Sequence, residues 1–279
     1  MKLSYRKLTN ADTQIIQTLL NQQPITNLYL RDLLDRQGVD YWGIHRWMGV
    51  FDEDELIALN VDIACMTPNA PCKLSVPVGQ PEACIALGHY TATQGGVERI
   101  MAERNASLAF WQGLGSPNPL LNQAQWVMSI DARCVGETLD LRPATREYLP
   151  SLIESTALMR LEDEGVDPRE KDPDLWNQTI EVLIAQRRIW IALEHKEPCF
   201  VIEIGTRAQK GTQIGSTYVP PKFRQRGLAT KGMRTIVNLL LEETSTVSLL
   251  VHESNVPARK CYERVGFGYG DPYQLFAFC

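Results

Sequence analysis

Short apolar runs alternate with longer amphipathic segments along the second half of the chain. In chain order, the pattern predicts a strand at 139–142, a helix at 146–161, a helix at 175–186, strands at 190–194 and 199–204, a strand at 212–219, a helix at 228–242, a strand at 247–253, a helix at 255–266 and a last apolar run at 273–278. In the predicted helix 228–242, Ala229, Met233 and Val237 recur at helical spacing and define an apolar face. This mixture of strands and amphipathic helices predicts an α/β (α+β) fold.

The first half begins with the same kind of pattern as the second. The segment YRKLTNADTQIIQTLL (5–20) and the segment LRPATREYLPSLIEST (141–156) each give a short strand, a basic residue, a threonine and then an amphipathic helix. A layout that recurs in this way indicates two related domains. We therefore predict an N-terminal domain at 1–137 and a C-terminal domain at 138–279.

The composition excludes several classes of protein. Hydrophobic residues make up 44% of the 279 residues and charged residues 22%, which is typical of a globular protein. The net charge of −5 gives no basic field that would attract nucleic acid or an anionic membrane, and no apolar run is long enough to span a bilayer. The seven cysteines show no C-x-x-C spacing and the first residues lack the apolar core of a secretory signal. We therefore expect a cytoplasmic protein with reduced thiols and no metal.

One basic stretch departs from this acidic background. VPPKFRQRGLATKGMR (219–234) follows a predicted strand and crosses the start of a predicted helix. Its five cationic side chains are Lys222, Arg224, Arg226, Lys231 and Arg234. Gly227 permits a close backbone approach, and the free N–H groups of the first helical turn favour an anion. The alternative is a solvated basic helix start, although cations at a helix N-terminus oppose the helix dipole.

A second motif, NVPARKCYERVGF (255–267), follows the next predicted strand. Asn255 is predicted to cap the helix, Pro257 lies in its first turn, where a missing N–H costs nothing, and Gly266 ends it. Tyr262 lies within this helix. Taken alone, Tyr262 could equally be a packed tyrosine with a solvated hydroxyl.

Together the two motifs resemble those of the GNAT superfamily of acyl-CoA-dependent N-acetyltransferases. The family's pyrophosphate-binding signature is Arg or Gln, two residues, Gly, one residue, then Gly or Ala. Here it falls on Arg224, Gly227 and Ala229. The family's following segment corresponds here to Asn255, Ala258, Tyr262, Gly266 and Phe267. The resemblance covers residues 139–279 and implies tandem GNAT-like domains, each with a mixed, mainly antiparallel central sheet flanked by helices.

The first half resembles the same fold only in outline. After its predicted strand CKLSVPVG comes QPEACIALGHYTATQ, which lacks the pyrophosphate signature. Glu82 puts a negative charge where phosphates would lie. We therefore expect this half to be a degenerate GNAT-like lobe without acyl-CoA.

The resemblance implies an N-acetyltransferase that moves an acetyl group from acetyl-CoA, its co-substrate, to an amine of a small molecule or peptide by direct attack in a ternary complex. The strand that ends at Val219 would hold the pantetheine arm, and the loop after it would hold the pyrophosphate. The implied cofactor-binding residues are Tyr218, Val219, Arg224, Gln225, Arg226, Gly227, Leu228, Ala229, Thr230 and Asn255. Lys222, Lys231 and Arg234 are candidates for the remaining phosphate.

The resemblance also implies catalytic roles. Tyr262 would protonate the departing CoA thiolate, since a phenol has a pKa near that of a thiol. Glu203 is the first candidate for the base that accepts a proton from the amine, because it alternates with apolar neighbours along a predicted strand. Its alternative role is a cross-strand partner of a basic residue. The other candidates for the base are His252, Glu162 and Glu164.

Some alternatives stay open at this stage. The chain could sense acyl-CoA and regulate a partner without turnover, or it could use a different acyl-CoA donor. The acidic loop EDEGVDPREKDPD (162–174) would attract a cationic acceptor or would be solvated surface. The first-half tryptophans would line an acceptor pocket or pack in the core, and they are Trp42, Trp47, Trp111 and Trp126. The sequence identifies neither the acceptor nor the oligomeric state.

Overall fold

The computed structural model describes residues 3–41, 45–67 and 70–278, apart from the side chains of 64–67 and 70–72. Trp42 lies outside the described residues. The chain forms two compact units. The first unit contains Met1–Val127, Leu250–Ser254 and Tyr269–Cys279, and the second contains Met128–Leu249 and Asn255–Gly268.

The elements up to residue 130 are, in chain order, β1 (Leu3–Lys7), α1 (Thr13–Leu20), α2 (Leu28–Gln37), β2 (His45–Asp52), β3 (Glu55–Thr67), β4 (Ala70–Gly79), α3 (Pro81–Thr93), β5 (Arg99–Glu103), α4 (Arg104–Gly113) and β6 (Leu121–Ile130). The later elements are β7 (Arg142–Pro143), α5 (Leu149–Glu164), α6 (Pro168–Lys171), α7 (Pro173–Ala185), β8 (Ile189–Glu194), β9 (Glu197–Ala208), β10 (Gly211–Tyr218), α8 (Leu228–Leu240), β11 (Val247–His252), α9 (Val256–Val265) and β12 (Gly268–Ala277).

In the first unit the strands lie in the order β1-β2-β3-β4-β5-β12-β6. Strands β1 to β4 pair antiparallel in sequence, and β12 pairs antiparallel with β5. Strands β4 and β5 are parallel, and their ladder in the described residues consists of the pairs Leu74–Arg99 and Ser75–Ile100. The sheet is therefore mixed and mainly antiparallel.

The second unit repeats this arrangement with the strand order β11-β10-β9-β8-β7. Strands β7 to β10 pair antiparallel in sequence, whereas β10 and β11 are parallel. The ladder between β10 and β11 consists of Thr212–Val247 and Gln213–Ser248, and β10 continues to Tyr218 beyond it. Both units thus have the mixed, mainly antiparallel sheet with flanking helices that was predicted.

Helix α8 is fixed against the sheet of the second unit by its apolar face. Met233, Ile236 and Val237 are fully buried, which agrees with the predicted face. A Cβ atom placed on Gly232 would lie 2.7 Å from the ring of Phe200 in β9, so the helix backbone packs directly on that ring. This packing sets where the N-terminus of α8 lies at the end of β10.

Several predicted elements of the second half have different limits, including β9 and β12, and for two of them the structure shows the reason. The strand predicted at 139–142 is confined to Arg142–Pro143, because the backbone of Leu139 bonds instead to the hydroxyl of Thr235 on α8. The helix predicted to end at residue 161 continues to Glu164, because Gly165 provides the left-handed C-terminal cap. Glu162 and Glu164 therefore belong to a helix, and the predicted acidic loop also contains the short helix α6.

Helices α3 and α4 of the first unit touch through two glycines. A Cβ atom on Gly88 would collide with the carbonyl oxygen of Phe110, and one on Gly113 would collide with the carbonyl oxygen of Ile85. Gln80 is the single residue between β4 and α3, whereas nine residues separate β10 from α8. The first unit therefore has neither a long loop before its helix nor space between the two helix backbones at this contact.

Candidate active site

Strand β10 carries an irregularity close to its end. Gly215 pairs with Glu203 and Tyr218 pairs with Val201. Between these two pairs the chain advances by three residues on β10 and by only two on β9. Ser216 has a φ of 49°, which is unusual for a residue with a side chain. A β-bulge of this kind re-aims side chains and is common beside active sites. Sequence reasoning missed it, since one extra residue in a ladder leaves no mark on the hydrophobic pattern.

The loop after β10 opens the N-terminus of α8 to a ligand. Gly227, the residue that precedes the helix, has a φ of 75° and a ψ of 6°, which is the left-handed conformation expected of a glycine here. Gln225 also has a positive φ, of 62°. Because the first N–H groups of a helix have no partner within it, the first turn of α8 presents them outward as anion donors.

A groove of about 510 Å³ lies between this loop and α9. From the loop and α8 it is lined by Val219, Phe223, Arg224, Gln225, Gly227, Leu228, Ala229 and Thr230. From α9 it is lined by Val256, Pro257, Lys260, Cys261 and Arg264. The structure thus brings seven of the ten predicted cofactor-binding residues to one groove. Tyr218, Arg226 and Asn255 are the three that do not line it.

Helix α9 has the capping residues predicted for it. The side chain of Asn255 accepts a hydrogen bond from the N–H of Ala258 at 3.1 Å, and Pro257 lies in the first turn. Gly266 ends the helix in the left-handed conformation with a φ of 114°. Asn255 therefore does not line the groove itself but caps α9, which forms one side of it.

Tyr262 lies on α9, with its ring 6.0 Å from that of Phe267. The side chain of Thr217 on β10 lies next to the Tyr262 hydroxyl. Burial raises the pKa of the Tyr262 hydroxyl, and the Thr217 contact opposes this effect only in part. Tyr262 is therefore a protonated phenol held beside the end of β10.

Carboxylates neutralise most of the basic side chains that the sequence singled out. Lys222 pairs with Glu197, Arg224 with Glu162, Arg226 with Glu194 and Lys231 with Glu137. The guanidinium of Arg234 lies against Gly136. Lys222, Lys231 and Arg234 do not line the groove, so the charge that faces it from the loop is smaller than the sequence predicts.

Lys260 and Arg264 supply cationic groups that sequence reasoning missed. Both line the groove from one face of α9 and both are exposed. None of the ion pairs recorded among the described residues involves either of them. Their spacing of four residues was the available signal, because it places both on the same side of a helix that borders the groove.

The candidate bases occupy different environments. Glu203 accepts hydrogen bonds from Arg188 at 2.8 Å and from Ser216 of the bulge at 3.1 Å. It is thus a partner of a basic residue, Arg188, and it lines a separate cavity of about 170 Å³ next to α5 and α7. Glu162 accepts from Arg224 at 2.8 Å and from the hydroxyl of Tyr218 at 3.2 Å. Glu162 therefore links the loop that contains Arg224 to the end of β10.

The two remaining candidates have local partners. His252 belongs to the first unit, where its Nδ1 lies 2.6 Å from the hydroxyl of Ser254. Glu164 pairs with Arg160 within α5.

The described tryptophans of the first unit are packed in different ways. Trp47 is fully buried, Trp111 stacks on Phe276, and the ring of Trp126 meets Tyr269 edge-on. Within the described residues, no helix is long and apolar enough to cross a membrane, and no group of three or more His, Cys, Asp or Glu side chains could hold a metal.

Comparison with known proteins agrees with this geometry. Residues 154–267 match the model of the acetyltransferase (GNAT) family. No curated protein matches the chain significantly. Residues 154–267 of the chain therefore form a GNAT acetyltransferase domain.

Solved structures of GNAT proteins share the fold over nearly the whole chain. A GCN5-related N-acetyltransferase from Sphaerobacter thermophilus is 17% identical, with a TM-score of 0.63 over 98% of this chain and 94% of that one. A GNAT acetyltransferase from Colwellia psychrerythraea is 14% identical, with a TM-score of 0.55 over 99% of this chain and 100% of that one. A tandem GNAT protein from the clavulanic acid biosynthesis pathway is 12% identical, with a TM-score of 0.52 over 99% and 98% of the two chains.

At these identities the likeness to solved structures shows the fold, which is a tandem GNAT fold. The family match adds the class of chemistry, because the GNAT family transfers acyl groups from acyl-CoA. The protein is thus an acyltransferase.

Proposed function

We propose that the second unit is an N-acetyltransferase that moves the acetyl group of acetyl-CoA to an amine of a small molecule or peptide by direct attack in a ternary complex. The observation that carries this proposal is the groove between residues 219–230 and α9. There the left-handed Gly227 opens a helix N-terminus to a ligand, and Lys260 and Arg264 line the same space.

The groove fits the nucleotide end of coenzyme A. The backbone N–H groups from Gly227 to Thr230 suit the pyrophosphate, because helix N-termini bind phosphate oxygens. Lys260 and Arg264 suit the remaining phosphate. Tyr218 ends the strand along which the pantetheine arm would lie, and Val219 follows it. When bound, acetyl-CoA supplies the thioester carbon that the amine attacks.

Direct attack is favoured over an acyl-enzyme by the state of the cysteine in the groove. Cys261 lies 3.4 Å from the hydroxyl of Thr230. Burial raises the pKa of the Cys261 thiol above its ordinary value. Since the thiolate is the nucleophilic form, Cys261 is a poor candidate for carrying the acetyl group.

Tyr262 holds the proton that the leaving thiolate requires. Its raised pKa keeps the hydroxyl protonated, and Thr217 orients it from β10. Glu203 stays our first candidate for the base, since Ser216 of the bulge connects it to β10. Glu162 is the second candidate because Tyr218 connects it to the same strand. The variants Glu203→Gln and Glu162→Gln distinguish the two candidates. The variant that removes the base should have a lower kcat, and its plot of kcat against pH should lack the decline at acidic pH.

The test of the function is amine-dependent release of CoA thiol by the full chain. Acetyl-CoA is mixed with amino acids, short peptides, amino sugars and polyamines in turn, and products are identified by mass spectrometry. We expect at least one primary amine to accelerate thiol release and to gain one acetyl group on nitrogen. Release that no amine accelerates, or acetylation only on hydroxyl groups, would contradict the proposal.

A further inference from the structure

A cavity of about 170 Å³ lies in the second unit, between helices α5 and α7 on one side and the sheet on the other. We call it the α5–α7 cavity. Protein interiors leave few voids larger than a water molecule, and an apolar cavity of about 150 Å³ holds a molecule the size of benzene. The apolar part of the lining consists of Met159, Trp176, Ile180, Leu183, Ile189 and Val201. The cavity therefore has room for a compact apolar group.

The cavity lies on the face of the sheet opposite α8. Successive side chains of a strand point to opposite faces of the sheet. On β9, Phe200 packs against Gly232 of α8, whereas Val201 and Glu203 line the cavity. The sheet therefore separates the cavity from α8.

The same division occurs at the end of β10. Ser216 lines the cavity, whereas the side chain of Thr217 contacts Met233 of α8 and lies next to the Tyr262 hydroxyl. The proton donor of the proposed reaction and the cavity thus lie on opposite sides of β10. An amine held in the cavity reaches the end of β10 from the side away from Tyr262.

The hydrogen-bond donors of the two helices in the lining are used within the protein. The hydroxyl of Thr156 donates to a carbonyl one turn earlier in α5, and that of Thr179 does the same in α7. The indole N–H of Trp176 donates to the carbonyl of Ile153. A polar group on a ligand would lose its water here without a replacement, so this part of the cavity favours an apolar group.

The positive charges at the cavity are already paired. Arg160 is the only cation among the described lining residues, and it pairs with Glu164. Arg188 lies outside the lining and pairs with Glu203. Because both guanidinium groups have a carboxylate partner, the described lining offers no unpaired positive group to a carboxylate of a ligand.

Glu203 supplies the negative charge of the cavity. Its carboxylate accepts hydrogen bonds from Arg188 at 2.8 Å and from Ser216 at 3.1 Å. A carboxylate has about four acceptor positions, so further positions stay open for the N–H groups of an ammonium. The cavity thus combines one carboxylate with an apolar space, which is the complement of a primary amine with an apolar substituent.

We propose that the α5–α7 cavity selects the acceptor, and that the acceptor is a small primary amine with one compact branched-alkyl or aryl group and no carboxylate. Its ammonium group lies against Glu203 and its substituent fills the space between α5 and α7. This inference rests on the proposed function, because it names the class of amine that the second unit acetylates. The groove proposed for acetyl-CoA, between residues 219–230 and α9, is a separate space that we call the acyl-CoA groove.

The test compares three amines as acceptors for the full chain with acetyl-CoA. Isoamylamine has a branched apolar tail, putrescine has the same number of non-hydrogen atoms but a second ammonium group, and leucine is isoamylamine with a carboxylate beside the amine. We expect kcat/KM for isoamylamine to exceed both other values by at least about tenfold, because a second charge in the cavity would be desolvated without a partner. A preference for putrescine or leucine would overturn the inference.

Two neighbouring residues of α7 give a variant and its matched control. Leu183→Phe fills the cavity, and it should lower kcat/KM for isoamylamine by at least about tenfold while changing that for ethylamine, which has a shorter tail, less than about threefold. Val182→Phe adds the same ring at a residue that is 51% exposed and outside the lining, so it should leave both values unchanged. Equal losses for isoamylamine in the two variants would overturn the inference, as would equal losses for both amines in Leu183→Phe.

A binding measurement separates this inference from the proposed function. Calorimetry of isoamylamine with the CoA-loaded full chain requires no acetyl transfer, and we expect a dissociation constant on the order of 1 mM or tighter. Acetylation of other amines, with neither binding nor acetylation of isoamylamine, would overturn the inference and leave the proposed function in place. Binding that Leu183→Phe abolishes, without transfer to any amine, would support the ligand class and contradict the proposed function. Absence of both binding and transfer would overturn both.

Discussion

At the scale of single residues, the surroundings of Tyr262 determine the pKa of its hydroxyl. Its ring packs near Phe267 and its hydroxyl reaches Thr217, so the phenol is fixed in place and has a raised pKa. The sequence could predict that Tyr262 lies on a capped helix. It could not predict the contact with Thr217, because that contact joins α9 to β10, which are distant in sequence.

Replacing Tyr262 with phenylalanine removes the proton donor and keeps the ring. We expect Tyr262→Phe to lower kcat by about 100-fold, the lower end of the usual contribution of a general acid. The dissociation constant for acetyl-CoA should not change, and calorimetry measures it separately from turnover. A kcat close to that of the unchanged enzyme would exclude Tyr262 as the acid.

The pH dependence of turnover tests the same residue without a mutation. Because burial raises the pKa of Tyr262 above the ordinary value of about 10, the hydroxyl keeps its proton throughout the neutral and mildly alkaline range. We therefore expect kcat to show no loss from tyrosine ionisation between about pH 7 and pH 10. An alkaline decline near pH 8 that disappears in Tyr262→Phe would contradict this assignment.

Gly227 was predictable from the sequence as a residue of unusual conformation, and its φ of 75° agrees. We expect Gly227→Ala to destabilise the protein by about 1 kcal/mol, because a side chain disfavours the left-handed region. It should also weaken acetyl-CoA binding about tenfold or more, because relieving the strain turns the N–H groups of the first turn of α8 away from the phosphates.

Gly165→Ala is the matched control for this variant. Gly165 has a φ of 72° and, like Gly227, has open space where a Cβ would stand. Gly165 lies outside the acyl-CoA groove, so its substitution should cost similar stability and leave acetyl-CoA binding intact. If both variants bind acetyl-CoA equally well, the role given to Gly227 is wrong.

At the scale of elements, local sequence signals predict helix ends well where a cap is present. The start of α9 at Asn255 and its end at Gly266 follow from capping chemistry, and both agree with the structure. The predicted end of α5 was wrong because the capping role of Gly165 was not recognised. The strand at 139–142 was wrong for another reason, since the bond between Leu139 and Thr235 joins residues that are distant in sequence.

The contact between α3 and α4 gives a prediction about stability. Gly88→Ala would place a methyl group against the carbonyl of Phe110 and force two packed helices apart. We expect a loss of about 3 kcal/mol or more in the free energy of unfolding, measured by denaturant titration. Gly96→Ala is the control, with an expected loss of about 1 kcal/mol, because Gly96 has a positive φ but open space around it. Equal losses for the two variants would exclude close helix contact as the reason for glycine at position 88.

At the scale of the whole molecule, the layout that recurs in both halves and the family resemblance predicted the tandem fold, but charge pairing could not be predicted. The sequence shows five cations at 222–234, and the structure pairs four of them with carboxylates that are distant in sequence. The cations that line the groove, Lys260 and Arg264, come from another helix. Ion pairs between residues that are distant in sequence depend on which helices and strands become neighbours, and a single sequence does not reveal this.

The central claim is that one groove of the chain, the one beside Gly227, binds acetyl-CoA for acyl transfer. Isothermal titration of the full chain with acetyl-CoA tests it most directly, because stoichiometry and affinity come from the same experiment. We predict one molecule of acetyl-CoA bound per chain, with binding greatly weakened in Gly227→Ala. Absence of binding, or two molecules bound per chain, would contradict the account.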